Sequence, residues 1–292
     1  MNDEAFASVS PRRPVALIDL VETKTPEANR AFVTKVTQLA EETGGRRVLA
    51  NEAIVPMIVP DERASKPDHA TGLLVVTQYP TPQAGRIALA KRKGWEPELS
   101  TDSIRTYAAR PSGGIESLVE RTLPSALGLL ERKPVPKIDG AQKLESLIDA
   151  ALILGEQPDE ARWTKLAERA GDRPIWMLNF LEFAETAVYT QDAQEVAPST
   201  RISGTAAYQL YGRGMIGSLG AVGGRVGWSS RSIGPLPGTD DGMWHQIVIA
   251  VYPSPAAMMT MLALPKYRAA HVHREAGLAR TRLLATQPME DF

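Results

Sequence analysis

The sequence predicts an α+β protein made of two ferredoxin-like (split βαβ) repeats in tandem, joined by a helical connector. Two observations predict it. Three segments recur in the same order in both halves: residues 14–22, PVALIDLVE, read like 174–182, PIWMLNFLE; residues 44–48, GGRRV, like 223–226, GGRV; and residues 76–82, VTQYPTP, like 249–255, IAVYPSP. A unit this long is a duplicated domain rather than a solenoid repeat. Within each half the patterns follow the order strand, helix, strand, strand, helix, strand, which is the split βαβ arrangement. The repeats are placed at residues 1–111 and 174–292, and the connector at 112–173.

The first repeat follows a short polar tail. Residues 15–21 are apolar except for Asp19, as a strand buried on both faces requires. Thr25-Pro26-Glu27 supplies an N-cap, a proline at the first helical position and an acid in the first turn. Phe32, Val36, Leu39 and Ala40 then fall at helical spacing, and Gly44 ends the helix. Residues 48–59 read as a strand limited by Pro56 and Pro60, residues 61–69 as a polar loop, and residues 73–79 as a strand. Thr81-Pro82 starts a second helix, and residues 104–109 close the sheet. In the connector, residues 115–130 suggest an amphipathic helix interrupted by Pro124. Residues 133–137 read as a stiff extended segment, and two further helices start near Leu144 and Pro158.

The second repeat has a strand at 175–181, a polar insertion at 186–202 and a glycine-rich helix at 205–222. Strands follow at 225–233 and 244–252. A helix starts at Ser254-Pro255, breaks at Pro265 and resumes to 278, before a last strand at 282–286.

Composition narrows the function. The chain of 292 residues has a formal net charge of -1 and no basic block, so nucleic acid is not the expected ligand. It contains no cysteine, which excludes disulfides, thiolate nucleophiles and cysteine-ligated zinc. No run approaches the ~18 apolar residues of a membrane span, and the start, Met1-Asn2-Asp3-Glu4, is acidic where a signal peptide is basic. The expectation is a cytoplasmic protein with no membrane partner.

Several side chains could carry chemistry. Asp19 and Asn179 are the polar residues at the same place in each repeat's first strand. Burying such a group costs about 1–3 kcal/mol unless it is hydrogen-bonded, so each either faces a cavity or ties down a neighbour. His245 lies at a strand start, near a sheet end. His271 and His273, two apart on a helix, diverge by about 200° and do not share a metal; no metal site is expected. Either His245 or His271 is the candidate general acid or base, against the alternative that both are merely hydrogen-bonded or at the surface. Tyr208 and Tyr211 share a helix face, where they either bind a ligand or pack in the core. Residues 212–217 spell GxGxxG, but inside a helix rather than after a strand, so a dinucleotide site is not expected and the glycines instead permit a close approach. Met258, Met259 and Met261 read as core, and Arg274-Glu275 as a solvated or interfacial ion pair.

The second repeat, with its lead-in from Pro158, resembles the dimeric α/β-barrel proteins grouped as domain of unknown function 1330. The resemblance rests on Met177-Leu178-Asn179, Tyr208 and Tyr211, Gly223-Gly224-Arg225-Val226, Ile233-Gly234-Pro235, Trp244, Tyr252-Pro253-Ser254, Lys266-Tyr267 and Arg274. Where the family usually has an acid after the tryptophan, this chain has His245. The resemblance implies that the two repeats pair face to face within one chain as an intramolecular α/β barrel, either as a monomer with an internal pseudo-dimer or as a homodimer. It also implies a site between sheet and helices. His245, His271, Tyr211 and Asn179 would be catalytic there, with Tyr208, Trp244, Trp176 and Arg274 contacting the substrate, all around one pocket in the second repeat. The leading expectation is a cofactor-independent enzyme acting by proton transfer on a small apolar or aromatic metabolite, as isomerase, cyclase, lyase or monooxygenase. The alternatives are a haem-binding enzyme with a histidine ligand and a non-catalytic binding or scaffold protein.

Overall fold

Eight antiparallel strands close into one barrel, in the order β1-β3-β2-β8-β5-β7-β6-β4. The computed structural model describes residues 4–23, 25–58, 71–95, 99, 101–113, 122–123, 132–138, 140–152, 158–235 and 243–289. The strands are β1 (Val15–Thr23), β2 (Arg46–Ile58), β3 (Thr71–Tyr79), β4 (Thr101–Pro111), β5 (Ile175–Phe183), β6 (Arg225–Pro235), β7 (Gln246–Tyr252) and β8 (Leu278–Pro288). The first four run in the order fourth, first, third, second, and so do the last four. Two seams join the halves, β2 to β8 and β4 to β6.

Side-chain alternation divides each strand between two cores. In β1, Ala16, Ile18 and Leu20 join Leu178 and Phe180 of β5 in a core common to both halves, the barrel interior. Val15, Leu17 and Val21 point the other way, with Phe32, Val33 and Val36 of helix α2 (Pro26–Glu42). Ile175 and Met177 do the same in the second half, with helices α6 (Gly204–Ala221), α7 (Pro255–Ala263) and α8 (Pro265–Gly277). An eight-stranded barrel has an interior just wide enough for side chains to fill, and aromatic residues do so here: Phe180 packs on Tyr107 at 4.8 Å and on Trp244 at 5.6 Å between ring centres.

Local signals place the helices. Thr25, Thr81 and Ser254 each accept a hydrogen bond from the backbone N–H three residues on, with proline next in sequence, at the starts of α2, α3 (Pro82–Lys91) and α7. Pro265 opens α8 as a separate helix. Of the connector, α4 (Ala141–Leu152) and α5 (Glu160–Ala170) form as expected, and residues 132–138 run without helix or strand. The expected helix over 115–130 and the loop at 61–69 fall almost wholly outside the described residues. The connector is not a spacer: Ile148, Ala151, Trp163, Leu166 and Ala170 are buried with Val55 and Met57 of β2 and with α7.

One element goes beyond the expectation. The polar tail contains a short helix, α1 (Glu4–Ala7), whose Phe6 is buried against the first-half core. Strand β2, expected over 48–59, runs through Pro56 to Ile58, with register shifts against β8 on either side of that proline. Irregular pairing is where a residue without an N–H is tolerated.

In β1, Asp19 is a tie and not a cavity residue. It is fully buried; Arg92 Nη1 donates to both carboxylate oxygens at 2.7 Å and Thr106 Oγ1 donates at 2.7 Å. Arg92 Nη2 reaches Tyr79 Oη at 3.3 Å and Thr77 Oγ1 at 3.4 Å. Removing one partner of a buried pair leaves an uncompensated charge, at a cost of about 3–5 kcal/mol. Asp19→Asn is therefore expected to lower stability by about 3 kcal/mol in urea unfolding, and the double replacement Asp19→Leu with Arg92→Met by clearly less.

Candidate functional site

A cavity of about 620 Å³ opens between the outer face of the second-half strands and the helices above them. Its floor is Met177 and Asn179 of β5, Tyr252 of β7, and Thr281 and Leu283 of β8. Its roof is Tyr211 of α6, Met258, Met261 and Leu262 of α7, and Tyr267, His271, Arg274 and Glu275 of α8. Ala151 of α4 and Trp163 of α5 line it too, so the connector forms part of its wall.

The polar groups come from predictable places. Asn179 alternates with Leu178 and Phe180, so it faces the helices while they fill the barrel. Its amide donates to Met177 O at 2.9 Å and Val248 O at 3.4 Å. Tyr267, His271 and Arg274 recur at helical spacing on one face of α8. Glycine sets how near α6 comes to α8: a Cβ on Gly214 would stand 2.5 Å from Ala270 Cβ. That close approach is what the GxGxxG segment supplies, and its partner is a helix. Tyr211 and Tyr267 then meet hydroxyl to hydroxyl at 3.4 Å.

Burial sets the electrostatics. Desolvation, more than the mutual repulsion of neighbouring phenols, pushes Tyr211, Tyr252 and Tyr267 well above the usual tyrosine range, so all three hydroxyls are neutral donors. Burial opposes the charge of Arg274, but the phenol groups of Tyr211, Tyr267 and Tyr208, with Glu275, hold it as a cation. The expected Arg274–Glu275 ion pair forms, with Arg274 buried, at 8% exposed, and Glu275 reaching solvent. It donates to Glu275 Oε1 at 3.0 Å and Thr281 Oγ1 at 3.4 Å. His271 is pushed down to about 4, chiefly by burial and next by Arg274, with Glu275 opposing. It is a neutral imidazole at pH 7. Its Nε2 lies 3.4 Å from Glu275 Oε1, a contact that favours the proton on Nε2 and leaves Nδ1 as a base.

The expected single pocket resolves into two. Asn179, Tyr211, His271 and Arg274 share the cavity above, whereas His245 and Tyr208 line another, of about 630 Å³, with Phe183, Glu185 and Arg231. The Tyr208 and Tyr211 rings touch, 5.2 Å between centres, with one cavity on either side. The His245 ring stacks on Phe183, and its Nδ1 accepts the Phe183 N–H at 2.8 Å, which assigns the ring proton to Nε2. His273 meets the Tyr189 hydroxyl at 2.8 Å, away from His271.

Trp176 and Trp244 line neither cavity. Trp176 has the parity of Leu178, opposite to Asn179, and Trp244 is buried in the barrel core with the Arg280 guanidinium 4.2 Å above its ring. Strand alternation turns Trp176 away from the cavity, and Trp244, just before β7, is buried in the barrel core instead. Sequence reasoning missed Tyr252, Tyr267 and Trp163. The four- and three-residue steps from Tyr267 to His271 and Arg274 carried the signal for the second. Nothing local marks Trp163, which reaches the cavity only because α5 docks there.

No family model matches this sequence, and no curated protein matches it. Among solved structures, it is similar to a protein of unknown function from Rhodopseudomonas palustris, 30% identical over 46% of this chain and 95% of that one, at a TM-score of 0.39. It is also similar to a mutant chlorite dismutase from Candidatus Nitrospira defluvii, with 12% identity, 96% and 93% coverage and a TM-score of 0.41. A third is a candidate monooxygenase from Fusobacterium nucleatum, with 9% identity, 95% and 93% coverage and a TM-score of 0.43. No helix among the described residues is long and apolar enough to cross a membrane, and none of their histidine or acidic side chains group as a metal site.

The depressed His271 value has a stability consequence. Between about 4 and 6.5 the unfolded chain binds a proton that the folded chain refuses, so stability is fully present above pH 6.5 and is lost as pH falls through that window. The loss is up to ~3 kcal/mol. The difference in unfolding free energy between pH 7 and pH 4 is expected to shrink by about that amount in His271→Gln, measured beside the parent by urea titration.

Proposed function

We propose that the second-half cavity is the active site of a cofactor-independent enzyme that moves a proton on a small metabolite with an apolar or aromatic body. The observation that carries this reading is the convergence of one neutral imidazole, an amide, tyrosine hydroxyls and a buried guanidinium in a cavity that Met177, Met258, Met261 and Leu262 also line. In it, His271 Nδ1 takes a proton from a carbon beside a carbonyl. The bonding electrons move onto the carbonyl oxygen, and the resulting enolate is held by the Tyr211 and Tyr267 hydroxyls and Arg274, while Asn179, whose amide N–H groups are bonded to Met177 O and Val248 O, offers only its Oδ1 as an acceptor. Return of the proton to another atom gives isomerisation or cyclisation, and loss of a neighbouring group gives lyase action. A base near 4 is weak. An anionic substrate beside Arg274 offsets the second cause of its depression and moves it toward the useful range.

His245 is the less suited of the two histidines for this role, because its Nδ1 is committed to the Phe183 amide and it lines the other cavity. The chain is read as a tandem duplication of ferredoxin-like units at 1–111 and 174–292, paired internally, with 112–173 as connector and the site in the second unit. The shared strand order of the two halves and their two seams support this.

Haem binding is the alternative. The donor set fits it: His271 carries a carboxylate, Glu275, on one ring nitrogen, as imidazoles that ligate metals do, and Arg274 could pair with a propionate. Haem would supply redox chemistry at iron. A Soret band that forms on haem addition and is lost in His271→Ala would select this reading.

The test of the first reading is carbon–hydrogen exchange in D₂O, followed by proton NMR over a panel of small ketones and keto acids. The expected result is exchange at the carbon next to the carbonyl, slowed at least 100-fold in His271→Ala and unchanged in His245→Ala. Exchange unaffected by His271→Ala would remove the assignment.

A further inference from the structure

The two halves solve the same burial problem differently. Asp19 and Asn179 hold the same place in the first strand of each half, on the face under the helices. In the first half the overlying cation, Arg92, is neutralised there by the Asp19 carboxylate, with Thr106 donating to that carboxylate and Thr77 and Tyr79 accepting from Arg92 Nη2. In the second half the strand residue is a neutral amide that donates through Nδ2, and among the described residues no group donates to its Oδ1. The cation there, Arg274, is equally buried, at 8%. Among the described residues its one carboxylate partner is Glu275, whose side chain is 56% exposed and so well screened by water. A guanidinium has five N–H donors. Among the described residues Arg274 gives them to Glu275 and Thr281 alone.

A buried cation without a buried anion is costly, and the first half displays the remedy inside its own structure. We infer that the second-half cavity takes a small monocarboxylic acid with an apolar or aromatic body, whose carboxylate does at Arg274 what Asp19 does at Arg92. The inference rests on the reading of this cavity as the functional site and names its ligand class. The tyrosine hydroxyls of Tyr211 and Tyr267 add neutral donors beside the guanidinium. Met177, Met258, Met261, Leu262, Leu283 and Trp163 enclose the ligand's body. Arg274 in this arrangement is a specificity residue: it selects acids over their neutral isosteres.

Calorimetric titration of the full chain tests this with benzoate, phenylacetate, 3-phenylpropionate and indole-3-acetate, each beside its primary amide. At least one acid is expected to bind ten-fold or more tightly than its amide. Arg274→Gln is expected to erase that preference. Asn179→Asp supplies an internal carboxylate, as in the first half, and is expected to weaken the acid by ten-fold or more. It also keeps the test decisive if the Arg274 variant fails to fold. Amides that bind as tightly as acids, or an acid preference that survives Asn179→Asp, would overturn the inference while leaving the cavity as the site. No binding in either series, with carbon–hydrogen exchange on neutral ketones intact, would overturn it in the same way. No binding and no exchange would overturn both.

Discussion

Closure of the barrel governs the rest of the structure. Once β2 meets β8 and β4 meets β6, the central strands β1 and β5 have one face inside the barrel and the other beneath helices. The central strands must then be apolar at nearly every position, and β1 and β5 are. A polar residue in such a strand needs a partner or a cavity. Asp19 and Asn179 are the polar residues at the middle of those strands, one in each half, and the asymmetry of the molecule follows from what each one meets.

In the first half the answer is internal. Asp19 and Arg92 satisfy one another, and the region beneath the helices is filled by a charge pair and its hydroxyl partners. In the second half the strand position is uncharged, the cation comes from α8, and a cavity remains between them. Neutral imidazole, phenols and guanidinium persist there because the low dielectric keeps the first two uncharged while Arg274, which cannot give up its proton, stays charged. The connector contributes to this difference. By docking α4 and α5 on β2 and α7, it walls the second-half cavity with Ala151 and Trp163.

Much of this was legible in the chain. Cap-and-proline pairs at Thr25-Pro26, Thr81-Pro82 and Ser254-Pro255 fixed helix starts, because that chemistry is local. Alternation could have put Trp176 and Asn179 on opposite faces of β5, since three residues apart on a strand is an odd step. The assignment of both to one pocket treated nearness in sequence as nearness in space. Pro56 sits inside β2 because the ladder around it is irregular, and only the partner strand β8 decides that.

By itself, then, the sequence determined the order of elements, the repeated grammar of the halves and the identity of the polar residues in the buried strands, because propensity, capping and periodicity act over a few residues. Tertiary structure alone decided that Asp19 is sealed by a residue 73 positions away, that His271 and His245 belong to different cavities, and that a connector tryptophan reaches the site. These outcomes depend on which surfaces meet when the barrel closes, and no local pattern encodes that meeting.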